Sequence, residues 1–180
     1  DGNLILVNKY SRLASDYVPD DLVTVEPAYS NFGKLKSEAE DAFCKMVEAM
    51  WNEAGLRLVN ASPYRSYWTQ KNLYARYRTQ YSEAVTDRFS ARAGYSEHQT
   101  GLALDVIAPG GTLNGFKNTK QFQWMRDNAH RFGFILRYGD GMEYITGYKF
   151  EPWHYRYVGK TAAAEMQEKG LCLEEYLEQK

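Results

Sequence analysis

The sequence has no long hydrophobic run: no stretch of about 18 apolar residues is available to cross a membrane as a helix. No leader pattern is visible at the start. The chain opens on Asp1 rather than Met, so an upstream leader or anchor is allowed for. Excess charge of either sign is also missing. The 22 Lys and Arg nearly cancel the 23 Asp and Glu, leaving −1, so nothing argues for nucleic acid or an anionic surface as partner. Cysteine is nearly absent. Cys44 and Cys172 are far apart, lack the close spacing of a thiolate zinc knuckle, and nothing in their spacing demands a disulfide. Repeats, low-complexity tracts and linkers are missing too, so residues 1–180 are expected to form one domain and to act as a monomer.

A domain of this size buries roughly 70% of the surface its unfolded chain exposes, so it needs no staple. A metal would therefore be functional rather than structural. Tyrosine is abundant, with 15 residues, which suits either half-buried surfaces or a groove for a peptide or sugar.

Residues 1–33 are expected to be an irregular wrap, with an apolar run at Leu4–Val7 and turn chemistry at Pro19-Asp20-Asp21. Ser37 with Glu40 three residues on reads as a capping box. Ala39, Phe43, Met46, Val47 and Met50 then recur at helical spacing, and Gly55 stops the helix. Leu56–Ala61 reads as a strand broken at Ser62-Pro63, and Ser66 caps a second helix. Residues 82–94 read as a loop with a helical turn. Leu102–Ile107 alternates as a strand, with Asp105 on the same face as Ala103. A third helix is expected over Thr119–Arg131, stopped by Gly133, followed by strands at Phe134–Tyr138, Tyr144–Tyr148 and Phe150–Val158. Lys160–Lys169 and Leu173–Leu177 close the chain as helices. The pattern predicts an α+β fold, a central antiparallel sheet flanked by helices.

Only three histidines occur, and two of them sit in chemically suggestive stretches. Tyr95–Val106 (YSEHQTGLALDV) carries His98 and Asp105, and Phe150–Gly159 (FEPWHYRYVG) carries Glu151 and His154. Two neutral imidazoles and one carboxylate suit a catalytic zinc ion with a fourth position left open for water. Such an ion lowers the pKa of bound water from about 15.7 towards about 7. A nearby carboxylate that is not a ligand, here Glu151, can take the water's proton and pass it to a leaving amine. Each part alone is a weak signal; together His98, Asp105 and His154 are the expected ligands of one Zn2+. Residues three apart on an ideal strand point to opposite faces, so Glu151 and His154 can meet one ion only if the backbone is irregular. Pro152 supplies the reason, and strand geometry is expected to begin near Trp153 with Glu151 on the preceding turn. Arg65 lies at a strand-to-helix corner, either as an ion-paired surface residue or as a cation for an oxyanion or a substrate carboxylate. Ser96 either forms a turn hydrogen bond or meets substrate. Gln70 either faces the site or is an ordinary exposed residue. His130, late in the third helix, is expected to be structural.

Ser96-Glu97-His98-Gln99-Thr100-Gly101-Leu102-Ala103-Leu104-Asp105 resembles the S-x-H-x-x-G-x-A-x-D signature of the VanY-type D-alanyl-D-alanine carboxypeptidases. Glu151-Pro152-Trp153-His154 matches their E-P-W-H element, and Tyr64-Arg65-Ser66 with Gln70 matches an upstream one. Phe132-Gly133-Phe134, Arg137-Tyr138, Tyr155–Gly159, Val7-Asn8-Lys9 and Pro19–Leu22 also fit, in order along nearly the whole chain. The resemblance implies the small α+β zinc peptidase fold shared with Hedgehog domains. It also implies removal of the terminal D-alanine from peptidoglycan stem peptides, with His98, Asp105 and His154 on zinc and Glu151 and Arg65 catalytic. Arg65, Ser96, Gln70 and Trp153 are the residues expected to contact substrate. An L,D-carboxypeptidase, a D,D-dipeptidase and a non-catalytic zinc-bearing module are the alternatives. The work is expected in the cell envelope or outside the cell, with the cytoplasm as alternative. Pro63, Tyr95 and Gly139 depart from the family pattern in loops that shape the pocket.

Overall fold

A computed structural model describes residues 2–30 and 32–180. The strands are β1 (Leu22–Thr24), β2 (Lys34–Lys36), β3 (Val59–Ser62), β4 (Ala103–Ile107), β5 (Phe134–Leu136) and β6 (His154–Tyr157). The α-helices are α1 (Ser37–Ala54), α2 (Tyr67–Arg78), α3 (Glu83–Thr86), α4 (Lys120–Asn128), α5 (Glu143–Thr146), α6 (Lys160–Lys169) and α7 (Leu173–Glu178). The central sheet runs β3-β4-β6-β5, and every neighbouring pair is antiparallel. This is the expected α+β architecture. Among the described residues no helix is long and apolar enough to cross a membrane.

The sheet has two unlike faces because its strands alternate. Leu104 and Val106 of β4, and Tyr155 and Tyr157 of β6, join the core with Ala39, Phe43, Met46, Val47 and Met50 of α1. Each such fully buried side chain contributes about 1.5–3 kcal/mol relative to exposure. The opposite parity places Ala103 across from Arg156 and Asp105 across from His154. That face is also buried, so its charges must be paired internally. Ile135 of β5 instead packs into a second cluster with α6 and α7.

Several expectations are borne out in detail. Gly55 ends α1 with its N–H on Trp51 O. Ser66 caps α2 by accepting from Thr69 N–H at 3.2 Å. Ser82 caps α3 inside the 82–94 loop. The third helix is α4 capped by Thr119, continued as a 3-10 turn over Ala129–Phe132. Gly133 follows with φ 87° because a Cβ there would meet the Tyr157 ring at 2.7 Å.

Others are corrected. Ser37 is not a capping residue: α1 starts on it, and its N–H bonds Asp21 O at 3.0 Å. Glu40 is engaged elsewhere, accepting from Glu26 N–H at 3.1 Å. A box-like bond forms instead at α7, where Glu175 accepts from Cys172 N–H at 3.0 Å. Tyr144–Tyr148 is not a strand: it overlaps α5, whose turn is closed by Gly147 at φ 76° with its N–H on Glu143 O. The last strand is shorter than Phe150–Val158, covering only His154–Tyr157. The Leu56–Ala61 strand is shifted to Val59–Ser62. The N-terminal wrap is less irregular than expected, since β1 pairs antiparallel with β2. Cys44 and Cys172 are free thiols.

The wrap is fastened to the far end of the chain. Asn8 Nδ2 donates to Glu174 Oε1 of α7 at 3.2 Å, and Arg137 holds Glu174 with two bonds of 2.7 and 2.8 Å. Burial works against the Glu174 charge, but its bonds to Arg137 and Asn8 hold its pKa below the ordinary 4.5. The stabilisation is thus present above the unfolded pKa and lost as pH falls through the lower folded value. Glu174→Gln should lower the unfolding free energy at pH 7 by about 2 kcal/mol in urea titrations. The gap from the parent should close below pH 4.5; a gap independent of pH would contradict the pairing.

Candidate metal centre and active-site cleft

The site begins with the β4–β6 register, which sets Asp105 across from His154. His154 Nδ1 lies 2.9 Å from Asp105 Oδ1. His98 arrives from a 3-10 turn, Glu97–Thr100, and its Nε2 lies 3.4 Å from the same oxygen. Thr100 fixes that turn by donating to Glu97 O at 2.6 Å and accepting from Leu102 N–H at 3.0 Å. Gly101 then takes φ 70°, where a Cβ would press on Leu22 at 2.8 Å. Ligand atoms of His98, Asp105 and His154 all lie within 4.8 Å of one another, and all three residues are buried.

The outer nitrogen of each ring is spoken for. Pro63 O can only accept, so His98 Nδ1 donates to it at 2.8 Å, leaving the Nε2 lone pair facing inward. His154 Nε2 faces Glu97 Oε2 at 3.3 Å, which turns Nδ1 inward. The rings stand nearly edge to face, 5.0 Å apart. Two nitrogen lone pairs and a carboxylate oxygen therefore converge on one point, an arrangement that repels itself unless a cation or a proton sits between them. The donor set thus fits a metal ion.

The electrostatics agree. Burial opposes the Asp105 charge, but His98 and His154 outweigh it and hold the carboxyl well below the usual carboxylate range. Burial pushes the His98 pKa down, only partly offset by Asp105, so the ring is neutral at pH 7. Burial also opposes a charge on His154, yet its bonds to Asp105 and Glu97 raise it to about 9. Without a metal, that ring keeps the proton that an ion would displace.

Glu151 lies outside the strand, as the Pro152 argument requires. Its N–H donates to Tyr138 O at 3.1 Å and its carbonyl accepts from His154 N–H at 3.1 Å. Its carboxylate takes no hydrogen bond from the described residues and borders the cleft. Burial pushes it up to about 8, against the pull of nearby His154. Arg65 is held beside the same group. Its backbone N–H donates to His98 O at 3.1 Å, and its Nη2 lies 3.8 Å from Asp105 Oδ2. Gln70 is buried rather than exposed. Its Oε1 accepts from Arg65 Nη1 at 2.5 Å and its Nε2 donates to Ala91 O at 2.6 Å. Ser62 Oγ accepts from the other Arg65 nitrogen at 2.9 Å. The Ser96 side chain caps nothing in its turn and lines the cleft. Trp153 is half-buried at the cleft edge. His130 lies apart from the cleft, its Nδ1 buried without a partner among the described residues.

The cleft measures about 620 Å³ and brings Arg65, Gln70, Ser96, Glu151 and Trp153 together around the three ligands. Tyr77, Tyr81 and Phe89 form its outer aromatic wall, with edge-to-face contacts of 5.1 and 5.5 Å onto Phe89. Sequence reasoning gave no role to Glu97, Tyr138, Tyr148, Arg137 or Arg156. Tyr138 stacks on His154 at 4.8 Å and meets Tyr148 at 4.7 Å with the rings tilted by 42°. Arg156 was within reach of strand parity, since it lies two residues beyond His154 and points to the same face. Glu97 had only its place beside His98 to mark it.

Comparisons with known proteins bear on the family. The VanY family, described as D-alanyl-D-alanine carboxypeptidase, matches residues 33–160. A D-alanyl-D-alanine carboxypeptidase of Enterococcus faecium is 33% identical over 98% of this chain. The chain spans 58% of that relative's length. Among solved structures, the LdcB LD-carboxypeptidase is 41% identical with a TM-score of 0.89, covering 96% of this chain and 84% of that one. A variant of the vancomycin-resistance D,D-pentapeptidase VanY in complex with Zn(II) is 34% identical with a TM-score of 0.81, covering 97% of this chain and 98% of that one.

The geometry makes a direct prediction. Adding Zn2+, the ion expected from the donor set, to metal-free protein should raise its melting temperature. A hundredfold excess over Kd corresponds to about 2.7 kcal/mol. Asp105→Asn should erase most of that rise in a thermal-shift measurement; an undiminished rise would take Asp105 out of the group.

Proposed function

The chain belongs to the VanY family of D-alanyl-D-alanine carboxypeptidases, and on that premise we propose that it is a zinc enzyme that removes the C-terminal D-alanine from peptidoglycan stem peptides. The observation that carries this reading is the meeting, in one cleft, of three inward-facing ligand atoms with an unbonded buried carboxylate, Glu151. Zinc held by His98, Asp105 and His154 would supply Lewis acidity towards water and the scissile carbonyl.

The protein's own groups do the rest. The oxygen of water adds to the carbonyl carbon, and Glu151 accepts the proton that water gives up. The C–N bond then breaks, and Glu151 returns that proton to the departing amine of D-alanine. A carboxyl whose pKa stands near neutrality suits both transfers. Arg65 is a cation at any working pH and is held from two sides by Gln70 and Ser62. It steadies the developing oxyanion or grips the terminal carboxylate. In this reading Gln70 acts mainly by aiming Arg65, while the Ser96 hydroxyl and the Trp153 ring meet the peptide. The substrate would put this work in the cell envelope or outside the cell.

A second reading keeps the chemistry and changes the bond. The LdcB LD-carboxypeptidase is more similar to this chain than the VanY D,D-pentapeptidase, at 41% against 34% identity. That favours the tetrapeptide as a substrate beside the pentapeptide. A cleft that runs out to Tyr81 and Phe89 suits a peptide longer than two residues, which speaks against a dipeptidase.

Defined penta-, tetra- and dipeptides, with products read by mass, separate these readings. One D-alanine lost from a stem peptide is the expected result, and cleavage of free D-alanyl-D-alanine alone would overturn it. Glu151→Gln should keep its zinc and lose a factor of about 10²–10⁴ in kcat. Turnover close to the parent's would remove Glu151 from its role.

A further inference from the structure

Glu97 is enclosed on every side, with none of its side chain exposed. Its two oxygens have separate duties. Oε1 accepts from Arg137 Nε at 2.7 Å and from Arg156 Nη1 at 2.9 Å. Oε2 meets no arginine and faces His154 Nε2 at 3.3 Å. Two guanidinium groups on one oxygen stop the carboxylate from rotating, so the other oxygen stays turned to the imidazole. The arginines are themselves anchored. Arg137 grips Glu174 of α7 through both terminal nitrogens, at 2.7 and 2.8 Å. Arg156 donates to Asn3 O at 3.0 Å and Ile5 O at 2.7 Å in the N-terminal segment. Arg137 also lies over the Tyr138 ring at 5.0 Å, and that ring stacks on His154.

We propose that Glu97 is the positioning residue of the metal centre: it holds the proton of His154 on Nε2 and so aims Nδ1 at the ion. Arg137 and Arg156, fixed by the two ends of the chain, keep it in that posture. His98 reaches the same result by another route, with the backbone carbonyl of Pro63 in place of a carboxylate. The proposal rests on the zinc reading and adds a residue to it. Outer partners of this kind change metal affinity about 10–100-fold when lost.

Glu97→Gln is the discriminating change. Its amide can keep its oxygen on His154 only by turning its NH2 onto two arginines. Turned the other way, the NH2 meets Nε2 and selects the ring form with its proton on Nδ1, which cannot bind metal. Three readouts follow. Zn2+ affinity, measured by competition with a chromophoric chelator, should fall about 10–100-fold. The visible spectrum of the Co2+-loaded variant should differ from the parent's. Its kcat should fall with KM nearly unchanged. A folded Glu97→Gln that binds Zn2+ as the parent does, with the same cobalt spectrum, overturns the proposal and leaves the zinc reading standing. A parent that binds no Zn2+ sinks the zinc reading itself. Should the variant not fold, the zinc-loaded parent decides by nitrogen NMR of its histidines. A slowly exchanging proton on His154 Nε2 supports the proposal; a proton on Nδ1, or one exchanging as fast as free imidazole, overturns it.

Discussion

The antiparallel pairing of β4 with β6 is the constraint on which the site depends. It sets Asp105 across from His154 and Ala103 across from Arg156 on the same buried face. A slip of β6 by one residue would send His154 and Arg156 to the α1 side and bring Tyr155 into the cleft. The alternation that builds the hydrophobic core therefore also builds the candidate metal centre. The short 3-10 turn adds His98 to a register already fixed by packing, and the Pro63–Arg65 segment docks on that turn through two backbone atoms.

A buried polar face is expensive, and the structure meets the cost with pairing rather than exposure. Breaking one member of a buried ion pair typically costs about 3–5 kcal/mol, because the partner charge is stranded. Here Glu97 and Glu174 answer Arg137 and Arg156, so the charges of this cluster cancel. Glu151 is the exception. Among the described residues no donor reaches its carboxylate; burial raises its pKa and nearby Asp105 pushes it further up. A carboxyl left facing the cleft does little to stabilise the fold, and it suits the proton-transfer role proposed for it. Arg65 is held more tightly, by Gln70 and Ser62, as suits the charge-steadying role proposed for it.

Much of this was legible in the sequence because it follows from period and spacing. The face of α1, the Ser66 cap, the Gly133 stop and the irregular backbone at Pro152 all rest on local rules, and the structure bears them out. His98, Asp105 and His154, expected from their combined pattern to share one ion, do lie together, with candidate ligand atoms within 4.8 Å of one another. What was not legible depends on long-range pairing. The Tyr144–Tyr148 segment has the composition of a strand, but it folds as a short helix closed by the Gly147 N–H on Glu143 O. Ser37 and Glu40 have the letters of a capping box, yet Asp21 and Glu26 claim their bonds from a distant loop. Glu97, Arg137 and Arg156 read as ordinary charged residues, since only the folded chain shows that all three are buried together. For Gln70 the spacing left both a cleft-facing and an exposed position open, and its bond to Arg65 is visible only in three dimensions.

The central claim is that two histidines use different ring nitrogens, with Asp105, to hold one zinc ion. An anomalous difference map at the zinc edge, from crystals of the protein grown without chelator, tests it most directly. The account predicts a single strong peak about 2.0–2.2 Å from His98 Nε2, Asp105 Oδ1 and His154 Nδ1. No peak in that cleft, or a peak bonded to His154 through Nε2, would contradict it.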